Sequence, residues 1–172
     1  VGNPNLDPEI ADTWTAGIVL DSPFTDIPAL SDLRISADYY RIEITDAIGE
    51  QSADIVMQQC TDPAFNPTFD PNSPYCAGFK RNQTGGIGAL ERSFFNNGRF
   101  TTSGIDVSIT WGMDLGPGRV GVNTLINYLI DKKSAELDVL ALVDYAGTFG
   151  PTQNGLNGNS YEYRALTTVS YT

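Results

Sequence analysis

The chain has 172 residues and carries 10 Lys+Arg against 21 Asp+Glu, a formal net charge of -11, with no histidine at all. That balance excludes a nucleic-acid surface, which needs a basic patch, and the missing imidazoles exclude His-based triads, His general bases and His-ligated metal sites. Two cysteines are too few for a four-cysteine zinc site, and 17 Gly, 10 Pro and 8 Tyr describe strands and turns rather than helices.

Period-two alternation dominates and recurs in five segments. In the first, Trp14, Ala16, Ile18 and Leu20 oppose Thr13, Thr15, Gly17 and Asp21, with Val19 as an apolar exception on the polar face. In the second, Leu33, Ile35, Ala37 and Tyr39 oppose Arg34, Ser36, Asp38 and Tyr40. The third is the cleanest: Ile105, Val107, Ile109, Trp111 and Met113 against Gly104, Asp106, Ser108, Thr110, Gly112 and Asp114. The fourth sets Val120, Val122, Thr124, Ile126, Tyr128 and Ile130 against Arg119, Gly121, Asn123, Asn127 and Asp131, with Leu125 and Leu129 as exceptions. The fifth sets Tyr161, Tyr163, Ala165, Val169 and Tyr171 against Glu162, Arg164, Thr168 and Ser170, with Leu166 as the exception. No apolar run approaches the ~20 residues of a membrane helix. The alternation runs up to the last residues, as expected of a piece of a longer protein.

The connections alternate in length. A segment with Pro23 and Pro28 joins the first two strands, and Leu115-Gly116-Pro117-Gly118 joins the third to the fourth as a tight turn. Ala47–Gly98 and Lys132–Ser160 are long. Antiparallel strands with short turns at one end and long loops at the other predict an all-β fold, a transmembrane β-barrel portion of about five strands with long extracellular loops. The apolar stripes have the ~9–11 residues that a tilted strand needs to cross a bilayer. Trp14, Tyr39, Trp111, Tyr128, Tyr161, Tyr163 and Tyr171 fall near stripe ends, as interface aromatics do. A soluble all-β binding or adhesion module of the carbohydrate-binding type alternates as well, with its apolar face turned inward. The polar face favours the barrel: it is rich in Gly, Thr, Ser, Asn and Asp and poor in Lys and Glu, which suits a watery lumen.

Chemistry-bearing residues are few. Cys60 and Cys76 flank a stretch with Pro63, Pro67, Pro71 and Pro74, and in an oxidising envelope a disulfide is expected, contributing ~3 kcal/mol by restricting the unfolded chain. Ile48, Ile55 and Met57 predict a short helix within Ala47–Gln59 that covers the loop base. Asp12, Asp38, Glu43, Asp106 and Asp114 read as solvated strand residues rather than paired catalytic carboxylates. Thr84-Gly85-Gly86-Ile87-Gly88 lacks the Lys and strand–helix context of a phosphate loop. Asp70-Pro71-Asn72-Ser73 is too short for a calcium loop, and no GxSxG nucleophile motif is present. The chain is therefore expected not to be an enzyme, with no catalytic residues, no metal and no cofactor. Loop aromatics are the binding candidates: Phe65, Phe69, Tyr75, Phe79, Phe94, Phe95, Tyr145 and Phe149, with Tyr75, Phe79, Phe94, Phe95 and Tyr145 placed first. They either stack on a ligand ring or pack on one another.

Four stretches resemble one family. Gly2-Asn3-Pro4-Asn5-Leu6-Asp7-Pro8-Glu9-Ile10-Ala11-Asp12-Thr13-Trp14-Thr15-Ala16-Gly17, Ser36-Ala37-Asp38-Tyr39-Tyr40-Arg41-Ile42-Glu43-Ile44, Asn96-Asn97-Gly98-Arg99-Phe100-Thr101-Thr102-Ser103-Gly104-Ile105-Asp106, and Asp144-Tyr145-Ala146-Gly147-Thr148 followed by Tyr163-Arg164-Ala165 are similar, in this order, to strand motifs of TonB-dependent receptors. The resemblance implies a bacterial outer-membrane barrel of about 22 strands around a plug, energised by TonB, that imports a large ligand: an iron chelate, a vitamin, an oligosaccharide or a peptide. It makes residues 1–172 a partial barrel domain from the C-terminal half of such a receptor, with plug and remaining strands outside it. The implied partners are the outer-membrane lipid bilayer, the TonB complex through the plug, and either the rest of the barrel or further copies that pair the open strand edges.

Overall fold

The computed structural model describes residues 3–92, 94–135, 137, 140–149 and 160–172. Strands β1 (Ile10–Asp21) and β2 (Asp32–Glu50) are followed by helix α1 (Ala53–Thr61), a 3-10 turn (Pro74–Cys76) and a small hairpin, β3 (Phe79–Arg81) and β4 (Ile87–Leu90). Strands β5 (Phe94–Leu115), β6 (Gly118–Ala135), β7 (Val143–Asp144) and β8 (Tyr163–Tyr171) complete the chain. β1, β2, β5 and β6 lie side by side, β7 and β8 both pair with β6, and every pairing is antiparallel. The sheet is open, with β1 at one edge and β8 at the other.

The predicted strands all form, and β2, β5 and β6 run further than their alternation. β2 reaches Glu50 and β5 starts at Phe94, so the first long connection is shorter than Ala47–Gly98. Ile48 pairs with Asn96 in the ladder and so lies outside the helix expected to include it. The helix instead starts after Ser52, whose Oγ accepts from the Ile55 N–H at 3.3 Å. Serine at this position satisfies one of the four orphan donors of a first turn.

The fifth strand position is divided. β7 pairs with Lys133 and Ser134 of β6, while β8 pairs with Val120–Tyr128. The described residues on either side of the connection between them are joined: Gly147 N–H donates to Ser160 O at 2.8 Å and Ser160 N–H to Thr148 O at 3.1 Å. The remainder of that connection, residues 150–159, lies outside the described residues.

The core is not inside the sheet. Among the described residues, the buried apolar side chains are only Ala47, Val56, Cys76, Ala135 and Leu137, all toward the long-loop end. Large apolar residues of the edge strands are exposed, Ile18 at 56 % and Val169 at 67 %, and apolar residues of the inner strands such as Ile35 and Ile109 are only half-buried. A soluble sandwich needs a second sheet over that face. The small β3–β4 hairpin packs with α1 instead.

Candidate functional site

Directly opposed residues of antiparallel strands share a face, so the register converts alternation into rows across the whole sheet. On the apolar face the rows read Ala16–Tyr39–Ile105–Tyr128–Tyr163, then Ile18–Ala37–Val107–Ile126–Ala165, then Leu20–Ile35–Ile109–Thr124–Thr167. Leu33–Trp111–Val122–Val169 and Met113–Val120–Tyr171 follow. Aromatic rings mark both ends. Tyr128 and Tyr163 stack at 4.7 Å, and Trp14 meets Tyr39 edge-on at 5.7 Å. At the short-turn end Trp111 Nε1 donates to Ala29 O at 2.7 Å and the Tyr171 hydroxyl to Leu115 O at 3.1 Å. Rings with an apolar body and a satisfied polar tip are suited to a membrane–water boundary. Eight residue steps along β6, from Val120 to Tyr128, separate the two aromatic ends. At ~3.3 Å per residue that is about 26 Å along the strand, or roughly 20 Å of height at a tilt of ~40°, close to the ~25 Å apolar band of outer-membrane barrels.

The opposite face is polar and ionic. Its central row is Gly17–Asp38–Asp106–Asn127–Arg164, with Asn127 Nδ2 donating to Asp106 Oδ1 at 2.7 Å. The next row, Val19–Ser36–Ser108–Leu125–Leu166, gathers three of the four apolar exceptions noted in the sequence. Leu129, the fourth, faces Gly104 beside a bulge. The two rows border a groove of about 350 Å³ lined by Ser36, Asp38, Asp106, Leu125, Asn127 and Leu166, among others. At the short-turn end Arg119 reaches across Gly112 to Asp32 and also bonds Asp114 at 3.0 Å. A Cβ at residue 112 would sit 2.9 Å from that guanidinium, so the glycine leaves the arginine room to cross. Hydrogen bonds to Asp32 and then Asp114 raise the pKa of Arg119 above its ordinary value.

The long connection after β2 folds as a stapled cap. Cys60 and Cys76 form a disulfide, as the sequence suggested. Asn66, which the sequence reading passed over, is 3 % exposed and holds the Pro-rich loop from within. Its Nδ2 donates to Cys60 O at 2.9 Å and Asp70 O at 3.0 Å, while its Oδ1 accepts from Asp70 N–H at 3.1 Å. A buried amide so satisfied replaces the backbone ladder that prolines cannot build.

The candidate binding aromatics do not converge on one place. Tyr75 and Phe95 line one cleft of about 250 Å³ with Val56, Gln59 and Glu91. Tyr75 also packs edge-on against Phe65 at 5.9 Å. Phe79 belongs to a different cleft, of about 400 Å³, with Phe69, Pro71, Arg81 and the disulfide. Phe94 opens β5, is exposed, and its carbonyl accepts from Asn3 Nδ2 at 2.9 Å. Tyr145 follows β7, its N–H donating to Lys132 O at 2.8 Å. Neither Phe94 nor Tyr145 lines a described cleft of the cap. Among the described residues no group of His, Cys, Asp or Glu is arranged to hold a metal ion.

An open antiparallel sheet that is apolar between two aromatic borders on one side and polar on the other, with short turns at one end and a folded cap at the other, is a section of a transmembrane β-barrel wall. Residues 1–171 match the family model described as TonB dependent receptor-like, beta-barrel. The chain belongs to that family, whose members are transport receptors of the bacterial outer membrane rather than enzymes. Neither a curated protein nor a solved structure matches it.

Proposed function

We propose that this chain supplies wall and ligand-facing cap to an outer-membrane receptor that takes up a large ligand in a TonB-coupled way. In this reading residues 1–172 are one partial barrel domain, the polar face lines the lumen, and the cap after β2 faces the cell exterior. The ligand is an iron chelate, a vitamin, an oligosaccharide or a peptide. Aromatics of the cap and its neighbours, Tyr75, Phe79, Phe94, Phe95 and Tyr145, provide stacking surfaces for it. The carrying observation is the in-register separation of apolar and polar rows across every long strand, bordered by aromatic residues. No covalent step is involved: capture is by the cap, and force transmitted by TonB opens the path.

The test uses cells expressing the receptor that carries this chain. A membrane-impermeant maleimide should label Gln83→Cys, at the β3–β4 tip, on intact cells. It should label Pro117→Cys, in the β5–β6 turn, only after the outer membrane is permeabilised. Uptake of a panel of ferric chelates, cobalamin, maltodextrins and oligopeptides should include one member that stops when a protonophore collapses the energy supply. Labelling of both positions from outside, or uptake indifferent to the protonophore, would refute the proposal.

A further inference from the structure

We propose that the cleft formed by Phe69, Pro71, Phe79, Arg81 and the Cys60–Cys76 disulfide is a binding site for an anionic group carried on a flat apolar body. This narrows the ligand class of the receptor read above and rests on the cap being its outward face. The chain carries -11, and its cations are mostly committed to carboxylates. Within the cap and its flanks, Lys80 pairs with Glu91 at 3.7 Å and Arg92 with Glu50 at 3.2 Å. Arg81 stands between them and has no ion pair among the described residues. Its Nη1 donates to Gly85 O at 2.8 Å, and its guanidinium lies 4.8 Å from the centre of the Phe79 ring. One of five donors is therefore used, and the plane of the group is held at the cleft.

The cleft around it has the volume of a small-molecule subsite, about 400 Å³. Its other walls are apolar except at Thr61. Phe79 offers a ring already under the cation, and Pro71 a flat aliphatic face. Phe69 is 60 % exposed and lies at φ 51°, a backbone conformation that a bulky side chain rarely adopts. Rings and proline stack on flat bodies without regard to charge. The guanidinium fork accepts a carboxylate or similar anion in two parallel hydrogen bonds. An ammonium group in that place would face like charge.

The probes are 1-naphthoate, 1-naphthylmethylamine and 1-naphthalenemethanol, which share one body and differ in charge. Binding is read by fluorescence titration on the intact, detergent-solubilised receptor. Naphthoate should bind at least about tenfold more tightly than the amine, a difference of one charge-assisted contact, with the alcohol between. Arg81→Gln should remove that discrimination, and Arg81→Lys should keep part of it. Phe79→Ala should weaken all three probes alike, and Lys80→Gln should change none. Equal binding of amine and carboxylate to the unmodified receptor, no binding of any probe, or discrimination that survives Arg81→Gln would overturn the inference. The unmodified protein alone decides the first two outcomes, so misfolding of a variant cannot hide the answer. If discrimination fails while the labelling pattern and energy-dependent uptake hold, the cleft assignment falls and the receptor reading stands.

Discussion

Ile109 and Ser108 are neighbours in β5 whose side chains point to opposite faces, and an arginine at each separates a barrel wall from any other sheet. The row Leu20–Ile35–Ile109–Thr124–Thr167 lies four residues of β6 from Tyr128 and four from Val120. Four residues rise about 13 Å along a strand, or roughly 10 Å in height at ~40° tilt. Ile109 therefore sits near the bilayer midplane, where an outward Arg costs about 2–4 kcal/mol. Ser108 faces the polar side, between Ser36 and Leu125 in its row and beside Asp38 and Asp106 of the next, where a long side chain can reach the open groove. An arginine there meets water and carboxylates, and its cost should stay within about 0.5 kcal/mol. Adjacent substitutions of one kind should thus differ by about 1.5–4 kcal/mol, roughly 10- to 700-fold in the folding equilibrium at 1.4 kcal/mol per factor of ten. The assay is urea titration of the receptor carrying this chain, reconstituted in phosphatidylcholine vesicles and followed by tryptophan fluorescence. Equal cost at the two positions, or a larger cost at Ser108, would refute the assignment of faces.

Four further outcomes follow from the same geometry. Thr124 and Thr167 place two hydroxyls in the midplane row and bond each other at 3.1 Å, so Thr124→Val alone should cost ~1 kcal/mol by orphaning its partner, while Thr124→Val with Thr167→Val should be close to neutral, measured by the same titration. Cys60 and Cys76 should take two alkylation tags only after reduction, and replacing both with Ala should speed hydrogen exchange across the cap while leaving β5 and β6 protected. Gly104→Ala should destabilise by roughly 1–3 kcal/mol, because its Cβ would lie 2.5 Å from the Tyr40 hydroxyl and 2.7 Å from Tyr128 O, whereas Gly49→Ala, with nothing within 4 Å, should be tolerated. The chain on its own in dilute, detergent-free buffer should associate, and a compact monomer by light scattering would count against the wall reading.

Legibility followed the membrane. Between Ile105 and Met113 each residue has one dry and one wet alternative, so period two is strict and the strand could be read from the sequence. From Phe94 to Ser103 the strand continues through Asn96, Gly98, Thr101 and Thr102 without alternation. There the backbone ladder persists while neither face meets lipid, and side-chain pattern carries no signal. β7 is two residues long, too short for any period, so the divided fifth strand was invisible. Site residues failed to show for another reason. Val19, Leu125 and Leu166 look like separate faults in three patterns and become one row only once register is known. Arg81 differs from Lys80 and Arg92 in having no acidic partner in space among the described residues, and sequence spacing cannot reveal that.

The edges of the sheet set a condition on what completes it. β1 and β8 are exposed along their whole length, and each offers its outer row of N–H and C=O groups to the surroundings. In hydrocarbon every such group left unpaired costs several kcal/mol, so a wall of this kind is viable in a bilayer only when both edges are paired. The direction of those edges restricts the partner. Through four antiparallel pairings, β1 and β8 run the same way. Copies of the sheet placed side by side in one membrane orientation would have to join β8 to β1 in parallel, and outer-membrane barrels of this kind are antiparallel throughout. Copies in opposite orientations would pair antiparallel, yet they would put the cap after β2 on both sides of the membrane, where only one side presents ligand. The strand directions therefore favour the rest of a receptor barrel, joining β1 and β8 through an odd number of strands, over self-assembly as the functional partner.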